Sequence, residues 1–213
     1  MAKVQGVKEK LHSPLYDAFF VPNAKKKFSE AMTDPRMIRF FVDVQNKTKL
    51  ETNLQAAGVL PSLNTFEARA LRVVVSSLHR FNPQPGKEKT ERLAERNEAE
   101  VLADLIYNSV ISLIVGEKTM IEMPTFWFPS GAGISPGYST ISNHGLADPT
   151  ATFRFAEPVY IEPQQNFRVE MAFPQGIPGQ QDPDTNKDYM LANTPGPFRI
   201  WVVLDGYLTR DVQ

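Results

Sequence analysis

The sequence predicts an all-β protein built as an antiparallel sandwich, and three observations carry that expectation. In Asn166–Phe173, Phe167, Val169, Met171 and Phe173 fall on one side and Asn166, Arg168, Glu170 and Ala172 on the other, the period of a strand with one wet face. In Phe198–Asp205, Phe198, Ile200, Val202 and Leu204 alternate with Arg199, Trp201, Val203 and Asp205. The third observation is proline: 17 of 213 residues, roughly 8 % where about 5 % is usual, which suits many turns and long loops better than a helical bundle. The two alternating stretches are read as partners, the spine of one antiparallel sheet.

A chain of this length buries a substantial core as one domain. Its formal charge is −1, which argues against a surface that grips nucleic acid all over. Residues 1–39 carry eight Lys/Arg and four Asp/Glu, 8 − 4 = +4, so the remainder carries −1 − 4 = −5. The division expected is therefore a basic N-terminal arm, 1–39, and a sandwich domain, 40–213. The absence of cysteine excludes disulfides, thiolate metal sites and cysteine nucleophiles. No apolar run approaches the ~18 residues of a membrane span, and the N-terminus lacks the apolar centre of a secretory signal. Production and assembly inside a cell are expected.

The arm is polar except for Leu15–Val21, whose Tyr16, Phe19, Phe20 and Val21 a merely disordered tail has no use for. It is expected to dock, on its own sandwich or on a neighbour's. Lys25, Lys26, Lys27 and Arg36 are read as a face toward nucleic acid or an acidic membrane, with a solvated turn as the plain alternative. Phe40–Gln45 reads as the first strand, with Thr48–Leu54 as its partner. Along Phe66–Ser77 the pattern slips, because Glu67 and Arg69 share a phase with Leu71, Val73 and Val75; such a conflict predicts a bulge, or a strand exposed at one end and buried on both faces at the other. Asn97 with Glu100 resembles a capping box opening a helix, whose stripe Val101, Leu102, Leu105, Ile106 packs on the sheet; the charged run 87–98 before it is a solvated face. Val110–Val115, short and apolar on both faces, reads as a buried strand turned by Gly116-Glu117 into Lys118–Met123, and 124–129 continues extended. Long loops fill 130–149 and 174–197, with strands at 151–155 and 159–161 between them.

Catalytic chemistry is sparse, and neither an enzymatic activity nor a cofactor is expected. His12, His79 and His144 lack metal-ligand spacing, and neither Gly-rich stretch fits a phosphate loop. Asp182, Asp184, Asn186 and Asp188 alternate like the first half of a calcium loop, but Lys187 stands where the turn wants Gly and Asn193 where a Glu would close the shell; a hydrophilic loop tip is the alternative reading. The consecutive aromatics Phe126, Trp127 and Phe128, with Phe19 and Phe20 of the arm, are the candidate interface residues, since an extended run of three aromatics shows at least one outward.

Thr48–Pro61, Ile121–Gly133, Ile161–Val169 and Trp201–Gln213, taken with antiparallel strands, one inserted helix and an N-terminal arm, resemble jelly-roll coat proteins of icosahedral, tailless and often membrane-containing bacteriophages. The resemblance is one of style over residues 40–213. It implies a single jelly roll per subunit, self-assembly into trimers, pentamers or pseudo-hexamers, contact with other virion proteins, and residence in a virion assembled in the host cytoplasm. Through the arm it implies contact with genome or internal membrane. The alternative is a carbohydrate- or receptor-binding sandwich of a virion appendage, with Trp127, Tyr138 or Trp201 as sugar platforms.

Overall fold

The computed structural model describes residues 8–22, 26–61, 63–76, 98–128, 152–178, 191–194 and 196–211. In chain order the strands are β1 (Lys8–His12), β2 (Leu15–Val21), β3 (Met37–Phe40), β4 (Thr65–Val75), β5 (Val110–Val115), β6 (Lys118–Pro124), β7 (Arg154–Ile161), β8 (Phe167–Ala172) and β9 (Phe198–Asp211). Among the described residues there are also two helices, α1 (Phe28–Ala31) and α2 (Glu98–Tyr107), and two 3₁₀ turns. The pairing is nested and antiparallel: β2 with β9, β3 with β8, β4 with β7, and β5 with β6 as the innermost hairpin, closed by Gly116 at φ 60°. Successive pairs fall in alternate sheets, giving β2-β9-β4-β7 in one and β3-β8-β5-β6 in the other, with β1 prolonging the β2 edge along β9. A five-stranded and a four-stranded sheet from one folded-over ribbon make a jelly roll, an all-β sandwich.

Alternation explains the core. Phe167, Val169 and Met171 of β8 and Phe198, Ile200, Val202 and Leu204 of β9 are all buried, but the two strands lie in opposite sheets. They are not the paired spine expected; their dry faces meet across the sandwich. Phe28 of α1 closes one end, stacked on Phe198 at 6.0 Å and edge-on to Phe173 at 6.1 Å. β5, apolar on both faces, buries only Ile111, Leu113 and Val115 deeply.

The slip in β4 is a bulge: its register with both neighbours shifts between Ala68 and Ala70. Phe66 and Ala68 face the core before it and Leu71, Val73 and Val75 after it, so the extra residue, Arg69, restores the phase and is exposed. Gly206 of β9 lies opposite this bulge, where a Cβ would collide with the Glu67 carbonyl oxygen. The close approach requires glycine and lets β9 run on to Asp211.

The arm expected over 1–39 docks on its own sandwich: β1 and β2 pair with β9, Leu15, Ala18, Val21 and Phe28 are buried, and a boundary at 39/40 falls within β3. The strand expected over 40–45 ends at Phe40, because Phe41 takes a positive φ of 69°. Thr48–Leu54 is no strand; it is a run of turns touching β2 through the bridge Asp17↔Thr52. The stretch after Pro124 turns into a 3₁₀ helix, Thr125–Trp127, rather than continuing extended. The strands expected at 151–155 and 159–161 are joined in β7, which runs from Arg154 past Pro158 to Ile161, Pro158 lying between Arg154 and Val159 where the register with β4 shifts.

A buried carboxylate joins the sheets at the β2–β3 edge. Asp17 of β2 is inaccessible to solvent; it accepts from Lys47 Nζ at 2.9 and 2.8 Å and from the backbone N–H of Phe41 at 2.7 Å. Around it Thr52 Oγ1 donates to the Tyr16 carbonyl, Tyr16 N–H donates to Asn53, and Asn53 Nδ2 donates to the Pro14 carbonyl. Trp201 Nε1 donates to the Leu50 carbonyl at 2.9 Å. The same strap reaches the other sheet: Gly58, at φ 59°, donates to the Phe41 carbonyl and accepts from Phe167 N–H at 2.7 Å.

Burial pushes the Asp17 carboxyl above the usual carboxylate range, against the hydrogen bonds and charge of Lys47. A raised native value means that the native state binds this proton more tightly than the unfolded chain, so the contribution of Asp17 to stability falls as pH rises from the ordinary carboxylate range through the raised value. Lys47→Met removes the opposing charge and widens that window. It is expected to cost about 3–5 kcal/mol at pH 7, with part of the loss regained near pH 5 relative to the parent chain; urea unfolding at both pH values measures it, and an equal loss at both would show that Asp17 takes up no proton. Gly206→Ala, read by the same method, is expected to cost about 1–3 kcal/mol or more.

Candidate functional site

The aromatic run after β6 is placed by polar bonds at the α2–β5 junction. Ser109 Oγ donates to the Leu105 carbonyl and shares a 2.6 Å hydrogen bond with Thr125 Oγ1, while Thr125 N–H donates to the Ser109 carbonyl at 2.9 Å. With Thr125 and Ser109 buried, the 3₁₀ turn has one rotation about the chain, and Phe126 and Trp127 point away. Phe128 points in: its N–H donates to the Thr125 carbonyl, its carbonyl accepts from Val73 N–H of β4 at 3.0 Å, and it is 1 % exposed.

Three rings form an outward ledge. Tyr107 at the end of α2 is 66 % exposed, Phe126 48 % and Trp127 50 %; adjacent ring centroids are 6.1 Å (Tyr107–Phe126) and 6.0 Å (Phe126–Trp127) apart. Trp127 leans edge-on against Phe153 at 6.4 Å, and Phe153 in turn meets the buried Phe128 at 5.2 Å. The ledge thus stands on the core through Phe153 and is stiff. Contiguous exposed rings, unlike scattered apolar residues, mark surfaces that bind something.

A second, polar surface covers the outer face of the sheet near β1. Glu67 of β4 binds Lys10 of β1 and Arg69, whose hydrogen bonds hold its carboxyl below the usual range. The Lys10 ammonium and the Arg69 guanidinium lie 5.0 and 5.2 Å from the Tyr207 ring centroid. His12 Nε2 is 2.6 Å from Asp205, which also faces Arg72 at 3.8 Å. Farther along β9, Arg199 lies over Phe20 at 4.0 Å and approaches Glu51 at 3.4 Å. Burial opposes ionisation of Glu51, but bonds from Thr48 and Arg199 outweigh it and hold that carboxyl low.

The residues singled out in the sequence are dispersed. Phe126 and Trp127 are on the ledge; Phe128 is core and unavailable to a partner. Phe19 packs against Phe28 at 5.6 Å and Phe20 lies under Arg199, so both serve the fold. Lys26 and Lys27 lead into α1, and Arg36 lies in the turn before β3, its carbonyl accepting from Phe173 N–H. These basic residues stand on segments stitched to the sandwich. Lys25, His79, Tyr138, His144 and the candidate calcium ligands Asp182, Asp184, Asn186 and Asp188 lie outside the described residues. Among the described residues no group of three or more His, Asp or Glu is placed to hold a metal ion.

Two contributors escaped the sequence reading. Tyr107 follows directly on the helix stripe that ends at Ile106, one step off its buried side. Tyr207 continues the outward series Arg199, Trp201, Val203, Asp205 past Gly206, and carrying the alternation through that glycine would have found it. Comparison with protein-family models and with curated proteins finds no match.

Because Trp127 and Phe126 are half-exposed and Phe128 is enclosed, their substitutions should separate. The double change Phe126→Ala and Trp127→Ala is expected to alter unfolding free energy by under about 1 kcal/mol, whereas Phe128→Ala is expected to cost about 3–5 kcal/mol. Urea titration with far-UV circular dichroism distinguishes the two.

Proposed function

We propose that this chain is a self-assembling shell subunit, a capsid protein of the bacteriophage jelly-roll type, rather than an enzyme. The observation that carries the reading is the ledge of Tyr107, Phe126 and Trp127: rigidly mounted, contiguous and aromatic, it has the character of the buried centre of a protein–protein contact. A jelly roll suits the role, since its rigid sandwich leaves loops and strand edges to set the angle between neighbours. The partners in this reading are further copies of the chain, in trimeric, pentameric or hexameric capsomers, and other virion proteins. The segment bearing Lys26, Lys27 and Arg36 faces genome or internal membrane. The site of action is the virion, assembled in host cytoplasm.

A second reading, a carbohydrate- or receptor-binding module of a virion appendage, is favoured by one observation, the half-exposed Trp127 indole beside Phe126, a surface on which a sugar ring can stack. Trp201 serves it poorly, its Nε1 being committed to Leu50.

Electron microscopy and light scattering of the purified chain at increasing concentration test the first reading. Particles or closed oligomers are expected, and they should be lost in the Phe126→Ala/Trp127→Ala variant with the fold retained. A strict monomer in varied salt, together with glycan-array binding that disappears on Trp127→Ala, would replace it with the second.

A further inference from the structure

β1 is attached differently from β2, the strand that continues it along β9. β2 buries Leu15, Ala18 and Val21. In β1 all residues but Glu9 are exposed, and its one apolar side chain, Leu11, is 37 % exposed opposite Leu208. Beyond the backbone ladder, β1 is held by the ion pairs of Lys10 to Glu67 and Glu9 to Arg210, by the bond between His12 and Asp205, and by the Tyr207 ring against Lys10 and His12. The Glu9–Arg210 pair is exposed and worth under about 1 kcal/mol, while Lys10 binds the buried Glu67, which Arg69 also neutralises; the attraction at both weakens as salt shortens the screening length from about 10 Å at 0.1 M to about 3 Å at 1 M.

We infer that β1 is a detachable strand held by charge, and that the edge of β9 beneath it is a docking groove for the β1 of a second copy. The inference rests on the self-assembly reading and deepens it. Charge complementarity names the occupant. The groove offers Arg210 and Glu67 in the order that meets an anion and then a cation, Glu9 and Lys10, with Asp205 within hydrogen-bond reach of the His12 imidazole two residues on; a second copy carries that series by identity. β1 and β2 lie end to end along the same edge of β9, β1 opposite Tyr207–Asp211 and β2 opposite Phe198–Leu204. Release therefore needs a change only at Ser13–Pro14, where Ser13 N–H donates to the Gly206 carbonyl, and β2 keeps its place in the core.

The cysteine-free chain allows a direct test. Leu11 and Leu208 are opposed across the β1–β9 ladder, within disulfide reach. The single variants Leu11→Cys and Leu208→Cys are mixed, held at about 1 M salt, returned to low salt and oxidised, with urea unfolding of each confirming its fold. A mixed 11–208 disulfide between copies is expected, several-fold more abundant than without the high-salt step. Lys10→Glu on the first copy should suppress it, and Glu67→Lys on the second should restore it. If no mixed disulfide forms at any salt while Leu11→Cys/Leu208→Cys in one chain closes only within that chain, the exchange is overturned. Micrographs of the parent protein under the same conditions separate the two ideas: particles without exchange overturn the exchange alone, and exchange without particles overturns the shell reading alone.

Discussion

The two sheets are joined at one edge by the Asp17 carboxylate, and much of the fold follows from satisfying it. A buried charge is tolerated only with a counter-charge and further donors; here Lys47 supplies the first and the Phe41 N–H the second. Both lie on the strap that follows β3, so neutralising Asp17 fixes where that strap runs. The strap then bonds to β2 through Thr52 and Asn53, to β9 through Leu50, and to β8 through Gly58. One polar requirement in the first third of the chain thereby ties the outermost strand pair to the next pair inward.

What the sequence disclosed and what it hid follow from the range of the signals. Alternation over β8 and β9 was plain because each strand has one dry face, and the slip at Glu67–Arg69 was plain because a bulge must break a period of two. Which strands pair was not written in the pattern: a dry face is equally dry against a sheet partner's neighbour or against the opposite sheet. Hence β8 and β9 looked like partners and are instead opposed. The strap was misread as strand because Thr48–Leu54 has mixed polarity and no local mark of the distant Asp17 that organises it.

The interaction surface was half legible. Three successive aromatics announced an exposed ring, but their rotation depends on the Ser109–Thr125 bond, sixteen positions apart in sequence, so Phe128 could not be told from Trp127. The N-terminal segment was taken for an arm because of its charge. Glu9, Lys10 and His12 meet their partners on β9 and β4, a complementarity visible only once those strands are adjacent.

The pairing of β1 also sets how the molecule bears load. Lys8 lies opposite Asp211, so the two ends of the described chain emerge side by side. A pull that separates them opens the β1–β9 ladder from its end, one residue pair after another, and the steps meet ladder contacts, the side-chain bonds of Glu9, Lys10 and His12, and the exposed Leu11. The opening stops at Leu15, where side chains pass into the core and many contacts must yield together. β1 is thus a mechanical fuse: five residues yield at low force and pay out slack before any strain reaches the sandwich.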